Sequence, residues 1–326
     1  MKKAALQFIQ AVDGFAALRW LNRRRVLILT YHRFAETETQ GKVSSAQFRQ
    51  HLQYLKANYN VLPLGEIVQL LDNGKTLPRN AVALTIDDGY DDAYKIAFPL
   101  LKEYDLPATV FVITDFLDRK VWLWTDKARF LTAKTALEKV ETGDFSFTFN
   151  GAESRSRAAA KLNENLKRLP DEDKEAKLES LQNIFEVNLP ALPSAEFAAM
   201  SWQQAREMDK NGVAIESHTV THPILTNVRD ERLEFELKTS RRRVSENLGR
   251  ETDLFCYPNG GFDERAKQFV RKAGYRAAVT TEIGFNERET DLYALHRNDA
   301  QPDFMNFVQS ASGFEIFKKQ TRKLIG

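Results

Sequence analysis

Ala81-Val82-Ala83-Leu84-Thr85-Ile86-Asp87-Asp88-Gly89-Tyr90 is an apolar run that stops at two carboxylates and a glycine. Ala81 to Ile86 reads as a strand, and Gly89 permits a sharp turn directly after it. At the C-terminal end of a parallel strand, Asp87 and Asp88 can both leave strict alternation and point into one cleft. Like charges that close raise one pKa unless a cation intervenes. A metal would relieve the repulsion, leaving one carboxylate as ligand and the other as base. The plain alternative is a solvated acidic loop that caps a helix, and Asp91 or Asp92 suits that role.

Working outward, short apolar runs alternate with helix-period segments for most of the chain. Val26 to Tyr31 reads as a buried strand, followed by a helix carrying Phe48, Leu52 and Leu55 and entered through Ser44 or Ser45. Ala93 to Tyr104 predicts a helix and Ala108 to Ile113 a strand. The pattern resumes with strand Val213 to Glu216 and a charged helix with Leu233, Leu237, Val244 and Leu248. Strand Leu254 to Tyr257, a helix from Asp263 to Gly274, strands Tyr275 to Val279 and Leu292 to Leu295, and a helix begun by Pro302 complete it. So many alternations imply an α/β fold with a parallel sheet, and favour a barrel over an open doubly wound sheet.

Residues 125–198 break the rhythm. They are polar and mainly helical, with Leu162, Leu166 and Leu169 on one face and Leu178, Leu181 and Phe185 on another. Phe145 to Phe149 alternates strictly and ends at Asn150-Gly151, a hairpin signal. The expected organisation is an amphipathic helix over 1–24, a barrel over 25–124 and 199–312, a helical insertion with a β-hairpin over 125–198, and a basic tail over 313–326.

Among 326 residues, 47 Lys+Arg and 45 Asp+Glu give a net charge of +2, with 43% hydrophobic and 28% charged residues. This is globular composition, with no global electrostatic case for nucleic acid. The single Cys256 excludes an internal disulfide framework. Met1-Lys2-Lys3 and the apolar residues after it resemble a signal peptide, but Gln7, Gln10, Asp13 and Gly14 interrupt the run and no cleavage pattern precedes Arg23-Arg24-Arg25. The expectation is a cytoplasmic protein. Its first helix either docks on its own domain or makes peripheral contact with an anionic inner membrane.

A second informative stretch is Glu216-Ser217-His218-Thr219-Val220-Thr221-His222-Pro223. Two histidines four apart converge on one ion if the segment between them makes one helical turn. Two neutral imidazoles and one carboxylate leave an open position for water, which suits Zn²⁺.

Thr85-Ile86-Asp87-Asp88-Gly89 together with His218-Thr219-Val220-Thr221-His222-Pro223 resembles the two signature motifs of the polysaccharide deacetylase family, carbohydrate esterase family 4 or the NodB-homology domain. Phe255-Cys256-Tyr257-Pro258-Asn259-Gly260 is similar to a third segment, in the branch that reads Tyr-Pro-x-Gly. The resemblance runs from Val26 to about Ala300, outside the insertion. It implies a distorted (β/α)7-type barrel with the site at the strand C-termini. It also implies Asp87 as general base, Asp88, His218 and His222 as ligands of a divalent metal, Zn²⁺ first, and a backbone N–H at Asn259 facing the oxyanion.

Two histidines compete for the general acid: His296, beside Leu295, and His32, in the first-strand Tyr31-His32 pair. Members of the Tyr-Pro-x-Gly branch often carry an Arg at the position of Arg297. The usual Arg before the third-motif Pro is missing, since Phe255 and Cys256 stand there, and an inward Arg297 would replace it by orienting Asp87. Adjacent strand residues face opposite sides, so this reading takes His32 as acid and turns His296 away.

The implied activity is metal-dependent hydrolysis of N-acetyl groups from amino sugars in a polysaccharide or lipid-linked glycan. A catalytically silent carbohydrate-binding module and a hydrolase of non-sugar amides are the alternatives. Trp122 and Trp124 suit either sugar stacking or packing. His51 is expected on a helix surface, Arg241 to Arg243 on a solvated face, and Cys256 as a small buried hydrophobe.

Overall fold

The computed structural model describes residues 14–314 and residue 316. The expected helix over 1–24 lies partly, and the basic tail mostly, outside the described residues.

One sheet organises the chain. Its strands are β1 (Leu27–Tyr31), β2 (Asn60–Val61), β3 (Ala81–Ile86), β4 (Ala108–Val112), β5 (Val213–Ser217), β6 (Leu254–Cys256), β7 (Ala277–Val279) and β8 (Asn298–Asp299). They run β7-β6-β5-β4-β3-β1-β8, with β2 also pairing β3, and all the pairs are parallel. Leu295 bridges back to Val279, so the segment leading into β8 spans from β7 to β1 and closes the curl. The result is the parallel sheet curled toward a barrel that the alternation favours, in the distorted (β/α)7 form that the resemblance implies.

β1 and β3 are buried at every position, as strands sandwiched between helices must be. The two-residue period divides their side chains between two cores. Val26, Ile28, Ala81 and Ala83 join Phe111, Leu254, Cys256, Val279 and Leu295 inside the barrel, closed by Ile67, Val68 and Leu71 of the helix Leu64–Asp72. Leu27, Leu29, Val82 and Leu84 instead meet Phe48, Leu52, Leu55 and Phe307 of the outer helices. Continued past the strand ends, this parity sends His32, Asp87 and Arg297 inward.

Residues 124–185 build a separate apolar cluster from three helices, Trp124–Lys134, Ala152–Leu166 and Asp171–Phe185, around Phe147 and Phe149. The hairpin is placed differently from the expectation. Ser146–Thr148 pairs antiparallel with Lys139–Glu141 before it, and the turn falls at Gly143 with φ +85°. Asn150-Gly151 leads into the next helix instead. Leu292–Ala294, expected as strand, is a 3₁₀ turn, because Asp291 caps the Tyr293 amide and strand pairing begins only at Leu295. Trp20 and Leu21 of the helix Gly14–Asn22 are 60% and 65% exposed, while Phe15 of the same helix is buried. Among the described residues no helix is long and apolar enough to cross a membrane.

Candidate active site

The strand ends after β1, β3, β5, β6 and β7 surround a cleft of about 590 Å³ whose wall includes His32, Asp87, Asp88, His218, His222 and Arg297. Four non-glycine residues in the loops that carry this wall have φ in the left-handed region: Asp88 (76°), Thr219 (72°), His222 (65°) and Asn259 (54°). Such conformations persist only where the surroundings enforce them, and here they re-aim side chains that strand geometry would splay.

After β3, the Asp87 amide donates to the Tyr31 carbonyl (3.0 Å), which holds the first carboxylate against β1. Asp88 and Gly89 then turn the chain. Gly89 has φ +83°, and a Cβ there would meet Leu117 at 3.0 Å and Val112 at 3.1 Å, so glycine is required both by conformation and by space.

After β5, His218 and His222 converge on Asp88. Their Nε2 atoms lie 3.5 and 3.6 Å from its Oδ1, and their rings are 4.9 Å apart. The expected helical turn between them is absent. Two left-handed bends at Thr219 and His222 do the folding-back, secured by the His222 amide donating to Thr219 Oγ1 (3.0 Å). The wholly buried Glu236 receives the amides of Val220 (2.7 Å) and Thr221 (3.0 Å) and the Thr221 hydroxyl (2.7 Å). One carboxylate from a neighbouring helix thus shapes the loop that presents both imidazoles.

The donor chemistry fits a divalent first-row cation: one carboxylate and two imidazoles whose ligand atoms lie within 4.8 Å of one another. His218 Nδ1 is 2.7 Å from the Cys256 carbonyl, an outer hydrogen bond that leaves Nε2 for a ligand. Burial pushes the His222 imidazole down to about 3, which suits a neutral ligand, whereas His218 is held above its ordinary value against burial by Cys256, Asp88 and Asp87, a proton that a cation in the same place would displace.

Asp87 forms the other half of the site. Arg297 Nη1 and Nη2 donate to its two carboxylate oxygens at 2.8 and 2.7 Å. The guanidinium is itself fixed by Thr280 O (2.7 Å) and Thr85 Oγ1 (3.1 Å). Burial alone would raise the Asp87 pKa, but the Arg297 charge and hydrogen bonds overcome it and hold the carboxyl below its usual range. His32 Nε2 stands 3.7 Å from Asp87 Oδ2 with its ring half exposed. His296 packs over Gly284 with Nδ1 3.6 Å from Glu282, off the cleft wall.

Several residues differ from expectation. Cys256 is buried, yet its Sγ lies 3.4 Å from Asp87 Oδ2 and 3.2 Å from Arg297 Nη2, so it belongs to the site's polar network. Of the two alternatives for Trp122 and Trp124 the packing one holds: they are buried against Phe130 and under Lys174 respectively. His51 is wholly buried and stacks on Phe307 at 3.8 Å. Of the arginine run, Arg242 is exposed and pairs only along its own helix with Glu246, whereas Arg243 pairs with Asp115 and Arg241 with Glu251. Tyr90, which lines the cleft, donates to the buried Asp126 of the 124–134 helix at 2.6 Å and supports Arg33 over its ring at 3.9 Å. Composition carries no signal for that tie between insertion and barrel.

With this barrel and this carboxylate–histidine cleft in view, the comparisons agree. The chain belongs to the polysaccharide deacetylase family, whose profile matches residues 74–278. The family's enzymes are hydrolases of carbon–nitrogen bonds. YxkH of Bacillus subtilis (strain 168), provisionally described as a polysaccharide deacetylase, is 24% identical over 305 residues, covering 92% of this chain and 81% of the relative. A poly-β-1,6-N-acetyl-D-glucosamine N-deacetylase of Staphylococcus epidermidis is 33% identical over 106 residues, 32% of this chain and 35% of that protein. Among solved structures, the Streptococcus pyogenes deacetylase PplD in complex with acetate superposes with a TM-score of 0.61 at 21% identity, covering 89% of this chain and 99% of that one.

Proposed function

We propose that the protein removes N-acetyl groups from amino sugars of a polysaccharide or lipid-linked glycan. The observation that carries this reading is the convergence of His218 and His222 on Asp88 beside the Arg297-paired Asp87. Asp88, His218 and His222 would hold a divalent cation, Zn²⁺ by its preference for this donor set. When bound, that ion supplies Lewis acidity toward an amide carbonyl and toward water.

The chain's own residues divide the remaining work. Asp87, kept ionised by Arg297, takes the proton of the attacking water. The backbone N–H at Asn259, on the cleft wall, faces the developing oxyanion, a contact whose loss elsewhere costs about 3–4 kcal/mol. The departing amine leaves only when protonated. His32, close to Asp87 yet open to solvent, delivers that proton. Loop closure at Asp88, Thr219 and His222 pre-positions these groups before substrate arrives.

Supporting this reading are the family membership and the relative that deacetylates poly-β-1,6-N-acetyl-D-glucosamine. The test is acetate release from N-acetylglucosamine oligomers by zinc-supplemented protein. Release that disappears in Asp87→Asn is expected. Release from simple amides but from no amino sugar would overturn the substrate class.

We also infer peripheral contact of the helix Gly14–Asn22 with an anionic membrane surface, supported by the exposed Trp20 and Leu21 beside Arg23, Arg24 and Arg25.

A further inference from the structure

The insertion places a cationic side chain on the wall of the catalytic cleft. Arg129, on the helix Trp124–Lys134, lines the cleft together with Arg33, the residue after His32. Metal binding, base and acid call on neither arginine. Apart from Asp87 and Asp88, Asp299 is the one acidic side chain among the described residues of the wall. It stands on β8, and β3 and β1 separate it from β4, the strand before the insertion.

How the two guanidiniums are held decides what they can do. Arg129 Nη1 donates to Asp126 Oδ1 at 2.9 Å, and the other oxygen of that carboxylate takes the Tyr90 hydroxyl at 2.6 Å. The Asp126 side chain is wholly buried, whereas that of Arg129 is 50% exposed. The carboxylate therefore pins one corner of the guanidinium, and among the described residues Nε and Nη2 have no hydrogen-bond partner. Arg33 lies 3.9 Å from the centre of the Tyr90 ring, with Nε donating to Asp92 at 2.8 Å and Nη2 to the Glu196 carbonyl. Tyr90 thus joins two cations, one over its face and one through Asp126 at its hydroxyl. A guanidinium carries five N–H donors in a rigid fork that matches the oxygens of phosphate or carboxylate. The exposed donors meet the cleft while the balancing carboxylate is buried behind them, an arrangement that focuses positive potential on a ligand.

We propose that Arg129 selects substrates by an oxyanion: a phosphate or carboxylate carried on the glycan takes hydrogen bonds from the Arg129 guanidinium on the insertion side of the cleft, with Arg33 adding charge. That the anion is borne by an N-acetylated glycan rests on the deacetylase reading; the anion contact itself rests on the geometry of Arg129, Asp126 and Tyr90.

The experiment measures acetate release and, by isothermal titration, affinity for three ligands of the full zinc-supplemented chain. They are a neutral N-acetylglucosamine trimer, the same trimer with a terminal phosphate, and the same trimer with a terminal glucuronate. Wild type, Arg129→Gln and Arg129→Lys are compared. The readout is the ratio of charged to neutral trimer, in kcat/KM and in affinity, taken within each protein so that any loss of folded material cancels. Wild type at low salt is expected to favour a charged trimer about tenfold, and the trimer that gains more identifies the anion as phosphate or carboxylate. The ratio should fall toward one in Arg129→Gln, return in part in Arg129→Lys, and shrink in wild type as salt is raised. A ratio near one in wild type overturns the proposal. So does a preference that Arg129→Gln keeps in full, which would place the anion on the metal. A preference in affinity that Arg129→Gln loses, with no acetate released from any trimer, sinks the deacetylase reading and leaves the anion contact standing. Acetate release with equal ratios throughout does the reverse.

Discussion

Arg297 and Asp87 face each other through two hydrogen bonds of 2.8 and 2.7 Å, and each residue is only 2% exposed. They lie 210 residues apart in sequence, at the end of β3 and on the segment that enters β8. A buried pair of this kind is costly to break from one side, because the surviving charge is left unpaired.

Arg297→Met should therefore destabilise the fold by about 3–5 kcal/mol. Its functional signature is distinct from the instability. Without the guanidinium, burial of Asp87 is opposed only by the weaker pull of His32 and His218 and its pKa rises, so a larger share of Asp87 is protonated at a given pH. The acid limb of kcat/KM should move to higher pH. Arg297→Lys, which keeps a charge but loses the fork, should move it less. A limb that stays in place in both variants would remove Asp87 from the role of base.

Elemental analysis separates the proposed ligands from the proposed base. One divalent transition-metal ion per chain is expected in wild type and in Asp87→Asn, and none in Asp88→Ala or His218→Ala. Glu236 touches no ligand atom but holds the amides of Val220 and Thr221, so Glu236→Gln should weaken metal affinity about 10–100-fold, as loss of an outer support does. Chelation should abolish turnover, and zinc should restore it. Retention of the ion in Asp88→Ala would relocate the site.

The two candidate acids differ in surroundings. His32 is 3.7 Å from Asp87, whereas His296 is 3.6 Å from Glu282 and packs over Gly284. His32→Ala should lower kcat about 10²–10⁴-fold, the usual worth of a positioned acid. His296→Ala should leave kcat within about twofold, since nothing in its contacts reaches the chemistry. The reverse pattern in steady-state kinetics would exchange their roles.

Much of this site is legible in the sequence because strand parity carries past the strand end. Ala81, Ala83 and Thr85 lead to Asp87, and Leu295 leads to Arg297, so both polar partners inherit an inward direction from the residues before them. The same parity turns His296 outward. The His218–His222 pair is legible in identity but not in conformation, since left-handed φ at Thr219 and His222 has no signature in those residue types. Cys256 reads as an inert hydrophobe because its contact with Asp87 spans 169 residues. For His51 the signal is present and points the other way from a surface position: Phe48, His51, Leu52 and Leu55 share one helical face, and all four are buried. The hairpin is misplaced in the sequence pattern because Asn150-Gly151 matches the commoner turn signal while Gly143 supplies the turn.

The proposed membrane contact through the helix Gly14–Asn22 has a direct test. Sedimentation with phosphatidylglycerol-containing vesicles should recover wild type, and phosphatidylcholine vesicles should not. Trp20→Ser/Leu21→Ser should weaken recovery by removing the exposed apolar pair, and raised salt should weaken it by screening Arg23, Arg24 and Arg25. Equal recovery of the variant and wild type at all salt concentrations would exclude this helix as the contact.

His51 gives the stability of the protein a pH dependence of known sign. Burial against Phe307 lowers its pKa from 6.5 to about 4, against a smaller opposing pull from the Pro302 carbonyl and Asp303. Between these values the unfolded chain binds a proton that the folded chain refuses, so stability is full above pH 6.5 and is lost as pH falls toward 4. One proton corresponds to about 1.4 kcal/mol per pH unit, an upper bound of about 3.5 kcal/mol over this window. Carboxylates titrate in the lower part of the same range, so the informative quantity is the difference between proteins. His51→Phe keeps a ring to stack on Phe307 and abolishes the titration. Its urea-unfolding free energy, measured at half-unit steps from pH 7.5 to 4, should fall less steeply than wild type between pH 6.5 and 5. Parallel curves would mean that His51 accepts its proton in the folded state, and that the packing seen against Phe307 opens on acidification.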